Sequence, residues 1–120
     1  MNFDSGLPIY MQIVEIIKSR IVTGILKSGE KLPSVRDLAT ELKVNPNTIQ
    51  RSYAELERQN IVFTQRGMGT FVTEDISILK DLKDTMAREK VLSFIEDMER
   101  LGYTKDEIPD YIRKLALEGK

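Results

Sequence analysis

The chain has 120 residues, of which 41% are hydrophobic and 31% charged, with a formal net charge of −1. This length fits one domain, or one domain with a short appendage. No apolar run is long enough to cross a bilayer, and residues 1–5 show no signal-peptide pattern. The sequence lacks cysteine and histidine, which excludes disulfides, thiolate nucleophiles, imidazole bases and Cys/His zinc sites, so we expect a cytoplasmic protein with no metal, no cofactor and no enzymatic activity.

The first helix is predicted between Pro8 and about Gly24, since proline suits a first turn and glycine a helix end. Isoleucines recur along it at three- and four-residue steps: Ile9, Ile13, Ile16, Ile17 and Ile21. This spacing predicts one apolar face that packs in the core.

A second, short helix is predicted from Val35 to Leu42, after a turn at residues 28–30 and an extended piece at residues 31–33. Ser34 is placed as its N-cap, with Asp37 three residues later in a capping-box-like arrangement. Arg36 lies in its first turn. Its side chain is expected either to pair with a neighbouring carboxylate on the surface or to contact DNA.

The third helix begins with unusual chemistry. Asn45 is a good N-cap residue and Pro46 suits the first helical position. An apolar stripe follows at Ile49, Tyr53 and Leu56, and this leaves Asn47, Gln50 and Arg51 on another face. Amide and guanidinium side chains can read base edges, so this helix fits a recognition helix in a major groove. The alternative is an ordinary amphipathic helix with a polar solvent face.

Two β-rich segments follow, at residues 61–65 and 70–73, after Asn60 in a predicted left-handed cap. The run Arg66-Gly67-Met68-Gly69 between them predicts a hairpin loop. A helix-turn-helix followed by a hairpin is a winged helix, in which Arg66 at the wing tip would suit a minor groove. A plain connecting hairpin would explain the glycines equally well.

Beyond a junction at residues 73–77, the chain changes character. Residues 1–73 carry nine Lys/Arg and seven Asp/Glu, whereas residues 74–120 carry nine and twelve. A helix is predicted from about Ile78 to Leu101, ended by Gly102, and a last helix to about Leu117, with Thr104 and Glu107 as a capping box. We expect domains at residues 1–74 and 75–120.

The apolar faces of these two helices predict a homodimer, because a two-fold pair is the commonest way to cover them. The alternative is a monomer in which they fold back on the same chain. The predicted dimer contacts are Leu79, Leu82, Met86, Val91, Phe94, Ile95, Met98, Ile108, Tyr111, Ile112 and Leu115.

Four segments in this order resemble the GntR family of bacterial transcriptional regulators: LPIYMQI (residues 7–13), GEKLPSVRDLA (29–39), VNPNTIQRSYAELE (44–57) and RGMGTFV (66–72). The VNPNT run and the short C-terminal region resemble its YtrA-like subfamily. The resemblance implies a winged helix-turn-helix domain plus a C-terminal two-helix dimerisation module, mainly α with a small β-hairpin wing. It implies DNA contacts at Arg36, Asn45, Asn47, Thr48, Gln50, Arg66 and Gly67, to which the face of the third helix adds Arg51.

The sequence is therefore interpreted as a sequence-specific DNA-binding transcriptional regulator, a repressor that binds a palindromic operator as a homodimer. The main alternative is a winged-helix protein-interaction module. An enzyme acting through carboxylates alone is disfavoured, because no Gly-rich phosphate loop accompanies them. No membrane partner is expected. A small effector between the paired helices remains possible, but no residue pattern indicates one.

Overall fold

The computed structural model describes residues 6–119, which form five helices and one two-stranded hairpin. The elements are α1 (Ile9–Val22), α2 (Val35–Leu42), α3 (Pro46–Arg58), β1 (Val62–Gln65), β2 (Gly69–Val72), α4 (Ile76–Arg100) and α5 (Glu107–Glu118). The mainly helical fold with a hairpin wing is confirmed. None of the helices within residues 6–119 has both the length and the apolar character needed to cross a membrane. Residues 1–5, where no signal peptide is expected, lie outside the described part.

Helix α1 begins directly after Pro8, whose backbone is extended (φ −56°, ψ 142°). The apolar face predicted for α1 is only partly correct. Ile9 is 45% exposed and Ile16 is half-buried, whereas Val14, which the periodicity did not single out, is buried. The buried face consists of Ile13, Val14, Ile17 and Ile21. Because Val14 is buried and Ile9 is exposed, the buried face is rotated about the helix axis from the face that the isoleucine spacing predicted.

The helix-turn-helix forms as predicted. The Ser34 hydroxyl caps α2 by accepting a hydrogen bond from the Asp37 backbone N–H at 3.0 Å. The helix ends at Lys43, which adopts the left-handed conformation (φ 58°). The Val44 N–H donates a hydrogen bond to the Ala39 carbonyl at 3.0 Å. This tight turn leads directly into α3.

The inner face of α3 is held by apolar packing and by two polar contacts. Ile49 and Leu56 are fully buried. The buried Ser52 hydroxyl lies 3.0 Å from the Tyr10 carbonyl of α1 and 2.9 Å from the Thr48 carbonyl. The Tyr53 hydroxyl donates to the Pro33 carbonyl at 2.7 Å, and burial raises the pKa of Tyr53. Helix α3 is thus tied both to α1 and to the segment before α2.

The wing is an antiparallel hairpin in which Val62 pairs with Val72 and Gln65 with Gly69. A third stretch of chain, residues 29–32, also pairs with it: Lys31 forms a bridge with Phe71, and the Leu32 N–H donates to the Thr70 carbonyl at 2.7 Å. The sequence predicted an extended piece here but not its pairing. Because an isolated two-stranded hairpin is marginally stable, this third stretch supports the wing.

The chain divides into two compact units, Met1–Leu82 and Lys83–Lys120, and the division falls within α4. The boundary between residues 74 and 75 stays a prediction. Asp75 caps α4 by accepting from the Ser77 N–H at 2.9 Å. The predicted capping box before α5 is confirmed, with Thr104 and Glu107 bonded reciprocally at 2.9 and 3.2 Å.

We predict that Tyr53→Phe lowers the free energy of unfolding by about 1 kcal/mol, because the buried hydrogen bond to Pro33 is lost while the ring is kept. Urea denaturation of the full chain measures this change. Tyr103→Phe is the matched control, since the Tyr103 hydroxyl makes no hydrogen bond within residues 6–119 and Tyr103 lies outside the predicted dimer contacts. Equal stability of the Tyr53→Phe variant and the wild type would contradict the assignment.

Candidate DNA interface

The N-terminus of α3 is built by Asn45, whose backbone is extended (φ −66°, ψ 134°) and whose Oδ1 accepts from the Asn47 N–H at 2.7 Å. Pro46 follows at the first helical position, where no N–H donor is required. The Asn45 side chain therefore has a structural role, and one of the two acceptor positions of its oxygen is occupied. Its amide N–H groups form no hydrogen bond within residues 6–119 and are available as donors to a ligand.

The outer face of α3 carries Asn47, Gln50 and Arg51, which are all exposed, whereas Thr48 is half-buried. Residues three and four apart share one side of a helix, so Asn47 stands beside both Gln50 and Arg51. Within residues 6–119 the Gln50 side chain makes no hydrogen bond. Its amide thus offers both a donor and an acceptor, which is the combination that recognises adenine.

Arg51 has a neighbour that the sequence did not reveal. Its guanidinium carbon lies 3.8 Å from the centroid of the Tyr10 ring, a cation–π contact between α3 and α1. The sequence placed Tyr10 near the start of the first helix, but no local pattern could link positions so far apart in the chain.

Arg36 is exposed in the first turn of α2. The sequence left open a surface ion pair with Asp37 or Glu41. Within the described residues neither pair forms, and Glu41 instead binds Arg20 of α1 at 2.6 Å. The Arg36 guanidinium is therefore available to an anionic partner.

At the wing tip, Arg66 and Gly67 are exposed and the turn is closed by the Met68 N–H, which donates to the Gln65 carbonyl at 2.9 Å. Gly67 has φ +77°, a conformation that suits glycine. A Cβ added at Gly69 would lie 2.6 Å from Cε of Lys31. The Lys31 side chain thus lies against the wing at Gly69, whose φ of +125° is a conformation that favours glycine. Sequence reasoning did not identify this basic residue.

The arginines of the winged-helix region fall into two groups. Arg20 and Arg58 are bound to glutamates, and hydrogen bonds from Arg58 and Gln59 lower the pKa of Glu55 to about 2. Arg36, Arg51 and Arg66 have no acidic partner within residues 6–119. The second group carries positive charge that the protein itself does not neutralise, as phosphate binding requires.

The residues predicted for dimer contacts differ in their exposure. Leu82, Met98 and Ile108 are at most 8% exposed in the single chain, so its own residues already cover most of their surface. Of the other predicted residues, Leu79, Met86 and Ile95 are half-buried, and Val91, Phe94, Tyr111, Ile112 and Leu115 are exposed. Their contacts with a second copy of the chain stay a prediction.

Comparison with known proteins gives matches along the chain. Residues 9–72 match the family described as bacterial regulatory proteins, gntR family. The HTH-type transcriptional repressor YtrA of Bacillus subtilis (strain 168) is 39% identical over 117 residues, covering 97% of this chain and 90% of YtrA. The structure of a GntR family transcriptional regulator from Listeria monocytogenes is 47% identical, covers 93% of this chain and 98% of that one, and has a TM-score of 0.85. AraR(DBD), solved in complex with operator ORR3, is 30% identical over 61% of this chain and 88% of its own, with a TM-score of 0.55.

We predict that Asn45→Ala lowers the free energy of unfolding by about 1 kcal/mol, because the α3 cap is lost. Asn45→Ser is the matched control, since serine can accept the same hydrogen bond. Urea denaturation of both variants is the measurement. The capping role is contradicted if the two variants are equally stable.

Proposed function

We propose that the chain is a repressor that binds a palindromic operator as a homodimer. It belongs to the GntR family of bacterial regulatory proteins and is a DNA-binding transcriptional regulator, with the YtrA-like character that its sequence predicted. The observation that carries the proposal is the outer face of α3. Its amide and guanidinium side chains are exposed, while the opposite face is fully buried. The repressor role is drawn from YtrA, which is named a transcriptional repressor.

In this proposal α3 enters the major groove with its N-terminal residues against base edges. Gln50 and Asn47 present amides that can pair with the N6 and N7 atoms of adenine. Asn45 and Thr48 lie in the same first turn, where the backbone N–H groups of a helix N-terminus also attract phosphate. Asn45 contributes through its amide N–H groups, since its oxygen caps the helix.

Arg36 and the wing supply contacts that position the protein. The unpaired guanidinium of Arg36 is suited to a phosphate beside the groove. Arg66 at the wing tip is suited to the minor groove, whose narrow A·T-rich segments attract arginine. The Gly67 backbone, without a side chain, allows close approach to the sugar-phosphate chain.

The homodimer is supported by apolar side chains left exposed on α4 and α5. Val91 and Phe94 on α4 and Ile112 and Leu115 on α5 are 40–55% exposed, and apolar groups of this size that form an exposed patch mark interaction sites. A second copy of the chain with two-fold symmetry would cover them. Such a dimer reads two inverted half-sites separated by about 34 Å or a multiple of it.

We predict that Gln50→Ala relaxes the base preference at one operator position and weakens operator binding by about 1–3 kcal/mol, with little change on unrelated DNA. The operator is first selected from a random duplex library, and affinities are then measured by fluorescence anisotropy. Gln59→Ala is the matched control: it is the same substitution at the other end of α3, where the side chain binds Glu55. Equal losses on operator and unrelated DNA would count against base reading by Gln50.

We predict that Ile112→Glu converts the dimer to a monomer, because a charge would be buried between the subunits, and weakens operator binding at least about tenfold. Sedimentation velocity reports the oligomeric state. Leu117→Glu makes the same substitution on α5 at a residue outside the predicted contact set and should leave the dimer intact. An Ile112→Glu variant that sediments as the wild type does would overturn this dimer surface.

A further inference from the structure

Two consecutive residues of α3 contact a single residue of α1. The Arg51 guanidinium carbon lies 3.8 Å from the centroid of the Tyr10 ring. The fully buried Ser52 hydroxyl lies 3.0 Å from the Tyr10 carbonyl oxygen. Both the backbone and the ring of Tyr10 are therefore fixed relative to the recognition helix.

The stacked guanidinium keeps its hydrogen-bonding groups. The ring covers one face of the planar cation, whereas the five N–H donors of arginine lie in its plane and point outward from the edge. Arg51 is exposed, and within residues 6–119 it forms no ion pair or hydrogen bond. Arg58, two turns later on α3, differs in that its Nε and Nη2 atoms both donate to Glu55.

Stacking also limits what Arg51 can reach. A guanidinium held on a ring of α1 has lost most of its rotamer freedom, so little entropy remains to be lost when it binds a fixed anion. A base edge deep in the groove is best reached by a side chain that is free to extend, whereas the Arg51 guanidinium lies on the Tyr10 ring. A phosphate beside the groove makes no such demand, and phosphate contacts are the ones that set the register of a protein on a duplex.

We propose that Tyr10 is a positioning residue of the DNA-binding surface, which holds the Arg51 guanidinium so that its free N–H groups bind one backbone phosphate next to the recognition helix. The proposal rests on the DNA-binding mode proposed above. The proposal gives α1 a specific role. It also assigns Arg51 to a phosphate contact, which does not depend on the DNA sequence, instead of to base reading. The competing account is that the stack only fastens α1 to α3.

The test uses the full chain with Arg51→Ala, Tyr10→Ala, Tyr10→Phe and the double variant Tyr10→Ala/Arg51→Ala. Affinities for the selected operator and for an unrelated duplex are measured over a salt series, and the unfolding midpoint of each variant is measured in parallel. Arg58→Ala is the matched control, because it removes the same charge from the same helix where Glu55 already neutralises it.

We expect Arg51→Ala to reduce the slope of log affinity against log salt by about 0.9 on both duplexes, as the loss of one phosphate contact requires. Tyr10→Ala should weaken binding to both duplexes by about two- to fivefold, and Tyr10→Phe should bind as the wild type does, because the ring face is kept. Adding Tyr10→Ala to Arg51→Ala should cause no further loss of affinity. Arg58→Ala should leave the salt slope unchanged.

An unchanged salt slope in Arg51→Ala, together with a lowered unfolding midpoint, would overturn the proposal in favour of a purely structural contact. Tyr10→Phe that binds as weakly as Tyr10→Ala would overturn the role of the ring. The wild-type titration separates this proposal from the proposed function. Wild type that prefers its operator supports the function even if Arg51→Ala overturns the inference, whereas wild type without any preference overturns both.

Discussion

The rotation of α3 about its own axis determines which of its side chains face outward, where we propose that DNA binds. Burial of Ile49 and Leu56 holds the helix against the core, but apolar packing is non-directional. The contacts of Ser52 with the Tyr10 carbonyl and of Tyr53 with the Pro33 carbonyl add direction, since each fixes one side of the helix to a defined atom. A rotation by one residue, about 100°, would turn Gln50 toward the core. Which side chains α3 exposes therefore depends on the packing and the hydrogen bonds of its buried face.

Local contacts also hold the start of α3 and the wing in place. Asn45 caps the start of α3, and the left-handed Lys43 allows a tight turn before it. The wing is held through residues 29–32, whose backbone pairs with β2 immediately before the segment that accepts the Tyr53 hydroxyl. Backbone pairing, the Pro33 carbonyl and the Tyr53 hydroxyl thus link the wing to α3, the two elements that we propose to contact one duplex.

The sequence predicted what local chemistry determines. The caps at Ser34 and Asn45, the left-handed Asn60 (φ 63°) and the reciprocal bonds of Thr104 and Glu107 are all confirmed, because each depends on residues a few positions apart. Contacts between distant positions were missed: Tyr10 with Arg51, Lys31 with the wing, and the burial of Leu82, Met98 and Ile108. Periodicity marks an apolar face but not how wide its buried part is, as Ile9 shows. The DNA roles of the α3 and wing residues stay predictions, since they depend on a partner.

We propose that the outer face of α3 reads a specific, two-fold symmetric DNA sequence. The most direct test is to sequence the duplexes that the purified full-length chain enriches from a random library over successive rounds of binding. We expect one enriched motif with two inverted half-sites, their centres about 10 base pairs apart or a multiple of it. A library that gains no shared motif, or one that gains only a single unpaired half-site, would contradict it.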